Sequence, residues 1–144
     1  MMQQIYPVPD HDYAYELNKE FHFSAAHYIA DESAGKCQYT HGHTYFVNIT
    51  IAGGQLNQIG FLADFKTIKD LIHKRFDHTT LNEDPVFSNQ QVYFPTTEVV
   101  AEKVYEIIQG YLNNLDNQPV CLQVFLRETP TSYCIYRPKG ETDQ

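Results

Sequence analysis

The amino-acid sequence predicts an α+β fold built on an antiparallel sheet, in a chain of 144 residues. Strand-like stretches with alternating or β-branched residues lie near both ends of the chain, and two stretches with helical spacing lie between them. The resulting order, β-β-α-α-β-β, lacks the regular strand–helix alternation of a parallel sheet. We therefore predict a four-stranded antiparallel sheet with two helices packed on one face. Because no internal repeat or linker interrupts the pattern, we predict one domain over residues 1–144, with an N-terminal arm at residues 1–12.

The first two strands are predicted on either side of the polar loop "DESAGK". Residues 13–26 alternate weakly, so that Phe21 and Phe23 project from one face of the strand and His22 from the other. Residues 43–53 are rich in β-branched and aromatic side chains, and this stretch ends at a Gly-Gly turn signal. We therefore expect two strands joined by a long loop.

The two helices are predicted in the middle and in the second half of the chain. Asp64 is the expected N-cap of "FKTIKDLIHKRF", in which apolar residues recur at helical spacing. Residues 77–95 are predicted to form a loop, and the second helix begins after Pro95 at "TTE". Its apolar stripe consists of Val99, Val100, Val104, Ile107, Ile108, Tyr111, Leu112 and Leu115. Two further strands, at residues 119–128 and 132–137, are predicted around the turn "TPT".

Composition excludes several classes of protein. The formal net charge of −8 argues against a general nucleic-acid-binding protein, which needs a basic face. A small anionic ligand is compatible with this charge, because a pocket can be locally positive on an acidic protein. No apolar run approaches the roughly 20 residues that span a bilayer, and the N-terminus lacks the features of a signal peptide. The three cysteines have no framework spacing, so we expect reduced thiols in a cytoplasmic protein.

Two histidines, His41 and His43, flank a glycine at the start of the second predicted strand. Side chains two residues apart on a strand share a face, so both imidazoles can bind one metal ion. A pair of surface histidines would show the same spacing. His27 follows the first predicted strand and would supply a third nitrogen if the two strands pair. We expect His22 and His73 to be structural or surface residues, and His11 to belong to the N-terminal arm.

Cys37 lies four residues before His41, and the sequence leaves three roles open for it. It could complete a closed zinc site with three histidines, act as a reactive thiol beside a three-histidine site, or be buried and inert. Its neighbours, Lys36 among them, are polar and do not suit simple core filling. A free thiol is only about 3% ionised at pH 7, so a reactive role would need a nearby cation or metal ion.

Two carboxylate-containing segments are further candidates. Asp77 and His78 follow the end of the first predicted helix, where a carboxylate can orient a histidine that transfers protons. A histidine at a helix C-terminus can also simply favour the helix dipole. Glu128 ends an apolar strand and could accept two hydrogen bonds from the amidine-like edge of a guanine or pterin ring. Alternatively, it faces solvent and pairs with Arg127 or Arg137.

Five blocks of the sequence together resemble the 6-pyruvoyl-tetrahydropterin synthase family of tunnelling-fold enzymes. They are "FSAAH", "CQYTHGH", "FDHTTLN", "PTTEVVA" and "RETPTSYCIYR", and the resemblance runs from about residue 21 to residue 137. It implies the tunnelling fold, with a homohexamer built from trimers and active sites at the subunit interfaces. It also implies the following roles: zinc ligands His27, His41 and His43, a catalytic thiol Cys37 that is not a ligand, a proton relay Asp77 and His78, a pterin anchor Glu128, and pterin contacts at Thr96, Thr97 and Glu98.

The spacing between Cys37 and His41 distinguishes branches of this family. Three residues separate the two, as in the branch that forms 6-carboxy-tetrahydropterin for queuosine and deazapurine synthesis, whereas the animal-type synthases have five. The resemblance therefore implies 7,8-dihydroneopterin triphosphate as the substrate, with acetaldehyde and triphosphate released. The alternatives are formation of a 6-pyruvoyl product at the same site, or a structural zinc module without catalysis.

Overall fold

Five strands form one sheet in the computed structural model, which describes residues 6–7, 9–88 and 94–139. The strands are β1 (Tyr15–His27), β2 (His41–Gly53), β3 (Thr79–Thr80), β4 (Val120–Thr129) and β5 (Ser132–Tyr136). The helices are α1 (Phe65–Phe76), α2 (Pro85–Ser88) and α3 (Thr97–Leu112), with 3₁₀ segments at Glu32–Gln38 and Leu81–Glu83. The strand order is β3-β1-β2-β4-β5. The four longer strands pair antiparallel, and β3 pairs parallel to β1.

The predicted α+β class and its antiparallel sheet are confirmed, with one strand more than the four predicted. The additional strand, β3, lies in the segment predicted as a loop, which also contains a 3₁₀ turn and the short helix α2. A two-residue strand is too short to show any periodicity, so its pairing with Ala25 and Ala26 leaves no signal in the sequence. Residues 89–93 of the predicted loop lie outside the described residues.

Alternation along β1 and β2 buries one face of the sheet beneath α1 and α3. Phe23 is fully buried, and its ring lies 5.0 Å from that of Tyr45 and 5.7 Å from that of Phe76 on α1. The predicted stripe of α3 provides the rest of this layer. Its fully buried residues are Val100, Val104, Ile108 and Leu112, and its partly buried residues are Val99, Ile107, Tyr111 and Leu115. The core therefore lies between the sheet and the two longer helices.

Each of the two longer helices begins at a side-chain cap. The Asp64 carboxylate accepts from the Thr67 backbone N–H at 3.0 Å and from the Thr67 hydroxyl at 2.7 Å, as predicted for an N-cap. At the start of α3, the Thr96 hydroxyl accepts from the Val99 backbone N–H at 3.2 Å. These caps satisfy backbone donors that have no partner within the helix. The start of α3 lies beside the end of β4, where the Thr97 hydroxyl donates to Glu128.

The predicted N-terminal arm contacts the face of the sheet that the helices leave open. The Tyr6 ring packs edge-on against Phe125 with centroids 4.8 Å apart, and its hydroxyl donates to the Glu20 carboxylate. The Pro7 carbonyl accepts from the Gln123 side-chain amide at 2.5 Å. The arm therefore covers part of the second face, although residues 1–5 and 8 lie outside the described residues. Within the described ranges, no helix is long and apolar enough to cross a membrane.

Ile108→Val is expected to lower the free energy of unfolding by about 1 kcal/mol, because it removes one methylene from a fully buried site. Ile107→Val is the matched control one residue earlier on α3, where the side chain is only partly buried, and we expect less than half of that loss. Urea denaturation of both variants measures the difference. Equal losses would contradict the assignment of the core face of α3.

Candidate active site

Three histidines meet where the end of β1 pairs with the start of β2. His27 lies directly opposite His41 in the antiparallel register, and Ala25 lies opposite His43, so all three histidines project from the helix-covered face. The ring centroids are 4.5 Å apart for His27 and His41, and 5.0 Å apart for each of the other two pairs. The pairing of β1 with β2, which the predicted approach of His27 required, is therefore present. The strand β2 begins at His41, two residues earlier than predicted.

Backbone carbonyls fix the orientation of two of these rings. The Nδ1 atom of His27 lies 2.7 Å from the Pro95 carbonyl oxygen, and the Nδ1 atom of His41 lies 2.7 Å from the Tyr39 carbonyl oxygen. A carbonyl oxygen can only accept, so Nδ1 carries the proton and Nε2 keeps a lone pair when the ring is neutral. Burial lowers the pKa of His27, with the nearby His41 and His43 acting in the same direction and the Pro95 carbonyl and Glu128 opposing it. His27 is therefore held in the neutral form that binds metals.

The Glu128 carboxylate reaches the same point from the end of β4. Its Oε1 atom lies 3.2 Å from Nε2 of His27 and 3.0 Å from Nε2 of His43, and its Oε2 atom accepts from the Thr97 hydroxyl at 2.6 Å. Neither approach to a ring nitrogen has hydrogen-bond geometry, so among the described residues these two buried nitrogens have no hydrogen-bond partner. Buried polar atoms without partners are rare in folded proteins, and a bound metal ion would satisfy both nitrogens.

A metal ion fits this arrangement. One donor atom from each of His27, His41, His43 and Glu128 lies within 4.8 Å of the others. Imidazole nitrogens and a carboxylate oxygen are ligands that first-row divalent metals accept. The group can therefore bind a metal ion at the nitrogens that lack other partners.

Cys37 lies outside this donor group. It is exposed in the 3₁₀ segment between β1 and β2, where its carbonyl accepts from the Ile29 backbone N–H at 2.7 Å. The exposure of Cys37 excludes the third role left open by the sequence, that of a buried and inert thiol. Among the described residues, the side chains that can share one metal ion are the three histidines and Glu128, and Cys37 is not among them. A closed site of one cysteine and three histidines therefore receives no support.

Asp77 and His78 are fixed to the outer edge of β1. Asp77 Oδ1 accepts from the Ser24 backbone N–H at 2.8 Å, and the His78 backbone N–H donates to the Ser24 carbonyl at 2.6 Å. The Ser24 hydrogen bond is the main cause that lowers the pKa of Asp77, and the surrounding histidines add to it. Asp77 Oδ2 lies 3.4 Å from His78 Nε2, and the His78 side chain is 85% exposed. The carboxylate is thus fixed and ionised, whereas most of the imidazole is exposed to solvent.

Two surface cavities meet at the start of β2. Gly42, His43 and Thr44 line both of them. His78 borders the first cavity, and Glu128 borders the second, in which Arg127 is also found. The structure therefore brings the three histidines, Glu128 and Thr97 together, and it places His78 on the other side of His43.

Within the described part of the chain, Glu98 makes no hydrogen bond or ion pair with the three histidines, Glu128 or Thr97. It is exposed at the start of α3, and its charge adds to burial in raising the pKa of the Cys134 thiol on β5. Sequence reasoning missed the carbonyls of Tyr39 and Pro95, because backbone groups leave no residue-type signal. The sequence analysis also predicted His73 to be a structural or surface residue. His73 lies four residues before Asp77, a spacing that places both side chains on one helix face. This spacing could have indicated that His73 Nε2 lies 3.4 Å from Asp77 Oδ2.

Comparisons with known proteins agree with this geometry. The family model for 6-pyruvoyl tetrahydropterin synthase matches residues 16–139. The 6-carboxy-5,6,7,8-tetrahydropterin synthase of Bacillus subtilis is 56% identical over 140 residues, covering 96% of this chain and 96% of that relative. The protein of the same name from Haemophilus influenzae is 30% identical over 142 residues, covering 85% of this chain and 99% of that relative. Among solved structures, the 6-pyruvoyl tetrahydropterin synthase of Caenorhabditis elegans superposes with a TM-score of 0.69 at 26% identity, covering 87% of this chain and 96% of that one.

Proposed function

The chain belongs to the 6-pyruvoyl tetrahydropterin synthase family, and on that premise we propose that it is a zinc-dependent 6-carboxy-5,6,7,8-tetrahydropterin synthase. In this proposal it converts 7,8-dihydroneopterin triphosphate, releases acetaldehyde and triphosphate, and acts in queuosine and 7-deazapurine synthesis. The 56% identity to the Bacillus subtilis relative over nearly the whole of both chains carries the proposal. The three-residue spacing between Cys37 and His41 supports the same branch.

The zinc ligands in this proposal are the Nε2 atoms of His27 and His43 together with a ring nitrogen of His41. The two buried nitrogens without partners and the carbonyls that orient the rings of His27 and His41 support this ligand set. Bound zinc would supply a Lewis acid that polarises a hydroxyl of the substrate side chain. Three neutral histidines leave room for that substrate oxygen, as is typical of catalytic rather than structural zinc.

Cys37, Asp77 and His78 would move the protons. The Cys37 thiolate takes a proton from the substrate side chain, and His78, oriented by Asp77, returns one. No described contact joins Cys37 to His78 within one chain, and both side chains are exposed. We therefore propose that the relay is completed between neighbouring subunits.

A homohexamer built from trimers would provide such interfaces. In the described part of the chain, β5 is the last strand on one side of the sheet. On the other side β1 is covered only near its end, by β3 at Ala25 and Ala26 and by the bonds of Asp77 and His78 to Ser24. Open strand edges readily pair with a second chain.

Glu128 is proposed to hold the amino-pyrimidine edge of the pterin, with Thr97 orienting the carboxylate through the 2.6 Å hydrogen bond. Glu128→Gln should weaken pterin binding by about 10- to 100-fold, because one acceptor oxygen becomes an N–H donor that faces the donors of the ring. Zinc content should remain at the wild-type level. Fluorescence titration with neopterin and metal analysis of the same sample measure both quantities.

Glu106→Gln is the matched control, since Glu106 is exposed on α3 and pairs with Lys103. It should change neither quantity. Unchanged neopterin affinity in Glu128→Gln would remove Glu128 from the substrate site. Loss of zinc in that variant would instead make the carboxylate a metal ligand, a role that its distances to His27 and His43 also allow.

Mass analysis of the pterin formed from 7,8-dihydroneopterin triphosphate tests the function itself. We expect 6-carboxy-tetrahydropterin and acetaldehyde. A 6-pyruvoyl product would establish the alternative, which the likeness to the Caenorhabditis elegans structure favours. If the zinc-loaded protein gave neither product, both synthase activities would be refuted and the structural zinc module would remain as the alternative.

A further inference from the structure

The Asn82 side chain holds the backbone of Tyr28, the residue that follows His27. The Tyr28 backbone N–H donates to Asn82 Oδ1 at 3.0 Å, and Asn82 Nδ2 donates to the Tyr28 carbonyl at 2.8 Å. A backbone N–H only donates and a carbonyl only accepts, so these two groups fix which way the amide faces. One side chain therefore satisfies both backbone groups of Tyr28, as an opposing residue does in a hydrogen-bonded pair of an antiparallel ladder.

These two bonds lie where β3 stops covering the outer edge of β1. The strand β3 pairs with β1 as far as Ala26, and the chain then turns into a 3₁₀ segment that begins at Leu81. Leu81 is fully buried, so the core anchors this segment. Asn82 is thereby held in place, and its amide continues the outer-edge pairing past His27, the last residue of β1.

His27 is the metal ligand that β1 supplies in the proposed set, and it lies at a strand end, where proteins open most readily. On the inner side it lies opposite His41, and its ring Nδ1 lies 2.7 Å from the Pro95 carbonyl oxygen. On the outer side, the bonds between Asn82 and Tyr28 hold the backbone one residue further along. The Nε2 atom of His27 therefore faces the other histidines only while this end of β1 stays closed.

We propose that Asn82 is a positioning residue for His27, an inference that rests on the zinc ligand set proposed above. Asn82 keeps the end of β1 closed, so that Nε2 of His27 stays within reach of a metal ion bound by His41 and His43. The apparent affinity for a metal ion falls in proportion to the fraction of molecules in which the ligands are assembled. A change that lets the end of β1 open part of the time therefore weakens metal binding without removing a ligand.

Asn82→Ala removes both bonds to Tyr28 and keeps every proposed metal ligand. We expect its zinc affinity to fall about 10-fold, the lower end of the usual cost of losing a group that orients a ligand. Asn82→Asp is nearly isosteric and places an oxygen opposite the Tyr28 carbonyl, so its affinity should fall by about threefold or more. Chelator competition measures the affinity, and circular dichroism confirms that each variant is folded. Wild-type zinc affinity in either folded variant would overturn the proposal.

Asn117→Ala is the matched control. The Asn117 amide also donates to two backbone carbonyls, those of Gln55 at 2.9 Å and Leu62 at 3.0 Å, beyond the other end of β2. Both alanine variants lose two bonds from a side chain to the backbone, so we expect similar, small falls in melting temperature. Only Asn82→Ala should lose zinc affinity. An equal loss in Asn117→Ala would show a general effect of lower stability and would refute the specific role of Asn82.

Exchange of the His27 ring N–H with solvent, followed by NMR on metal-free protein, gives a readout that requires neither zinc nor turnover. The ring is almost fully buried and its Nδ1–H is bonded to the Pro95 carbonyl, so exchange requires this end of β1 to open. We expect exchange to be about 10-fold faster in Asn82→Ala and unchanged in Asn117→Ala. Unchanged exchange in Asn82→Ala would contradict the proposal. If the wild-type protein bound no zinc, or bound zinc without synthase activity, the proposed function would fail, while the exchange rates would still decide whether Asn82 positions His27.

Discussion

Cys37→Ala is expected to lower turnover by about 10²–10⁴-fold, the usual contribution of a positioned group that transfers protons. Zinc content and melting temperature should stay close to those of the wild type. Cys37 is exposed, and the group that can hold a metal consists of three histidines and Glu128, so the thiol contributes neither to the core nor to the ligand set. Steady-state kinetics, metal per chain and thermal unfolding of one preparation measure the three quantities.

Cys134→Ala is the matched control for loss of a thiol. Cys134 is partly buried on β5, so this variant should retain turnover with only a small change in melting temperature. Near-normal turnover in Cys37→Ala would exclude the thiol from the relay. Loss of zinc together with a lower melting temperature would support the structural site of one cysteine and three histidines, because structural zinc contributes folding free energy directly.

The sequence predicted the elements that have strong periodicity and the residues whose proximity follows from it. His41 and His43 share a strand face because they are two residues apart, and His27 joins them because β1 and β2 pair in register. The core face of α3 followed from its helical spacing in the same way. Local spacing was therefore sufficient for His41 and His43 and for the two longer helices, whereas His27 also required the pairing of β1 with β2.

Features that depend on distant pairing could not be predicted from spacing. Glu128 reaches the histidines because β2 pairs with β4, so that Phe46 lies opposite Arg127, the residue before Glu128. The Pro95 carbonyl reaches His27 only because α3 begins beside the end of β1. Local spacing therefore predicts neither the Glu128 carboxylate nor the Pro95 carbonyl beside the histidines. The family resemblance implied Glu128 only as a contact of the substrate.

The position of Cys37 relative to Asp77 and His78 is a different case. The family resemblance implies that these residues act together, whereas the chain holds them on separate segments: Cys37 in the loop between β1 and β2, and the pair beyond α1. The backbone of His78 adopts a left-handed conformation with φ of +60°, an uncommon state for a residue other than glycine, and its bond to the Ser24 carbonyl holds it there. This strained backbone points the imidazole into solvent, and the proposed relay requires the thiol of a neighbouring subunit to reach it there.

His41→Ala and His43→Ala should each lower zinc affinity by more than about 100-fold, since even the loss of a group that only orients a ligand costs 10- to 100-fold. These two positions test the ligand set better than His27, which is almost fully buried, so that its replacement would also leave a cavity. Chelator competition followed by metal analysis measures the affinity, and circular dichroism confirms that the variants are folded.

His11→Ala is the control, because His11 pairs with Glu16 near the start of β1 and is not among the grouped donors. Wild-type zinc affinity in both His41→Ala and His43→Ala would refute the metal site, and loss of zinc in His11→Ala as well would show that the protein, rather than the site, had been damaged.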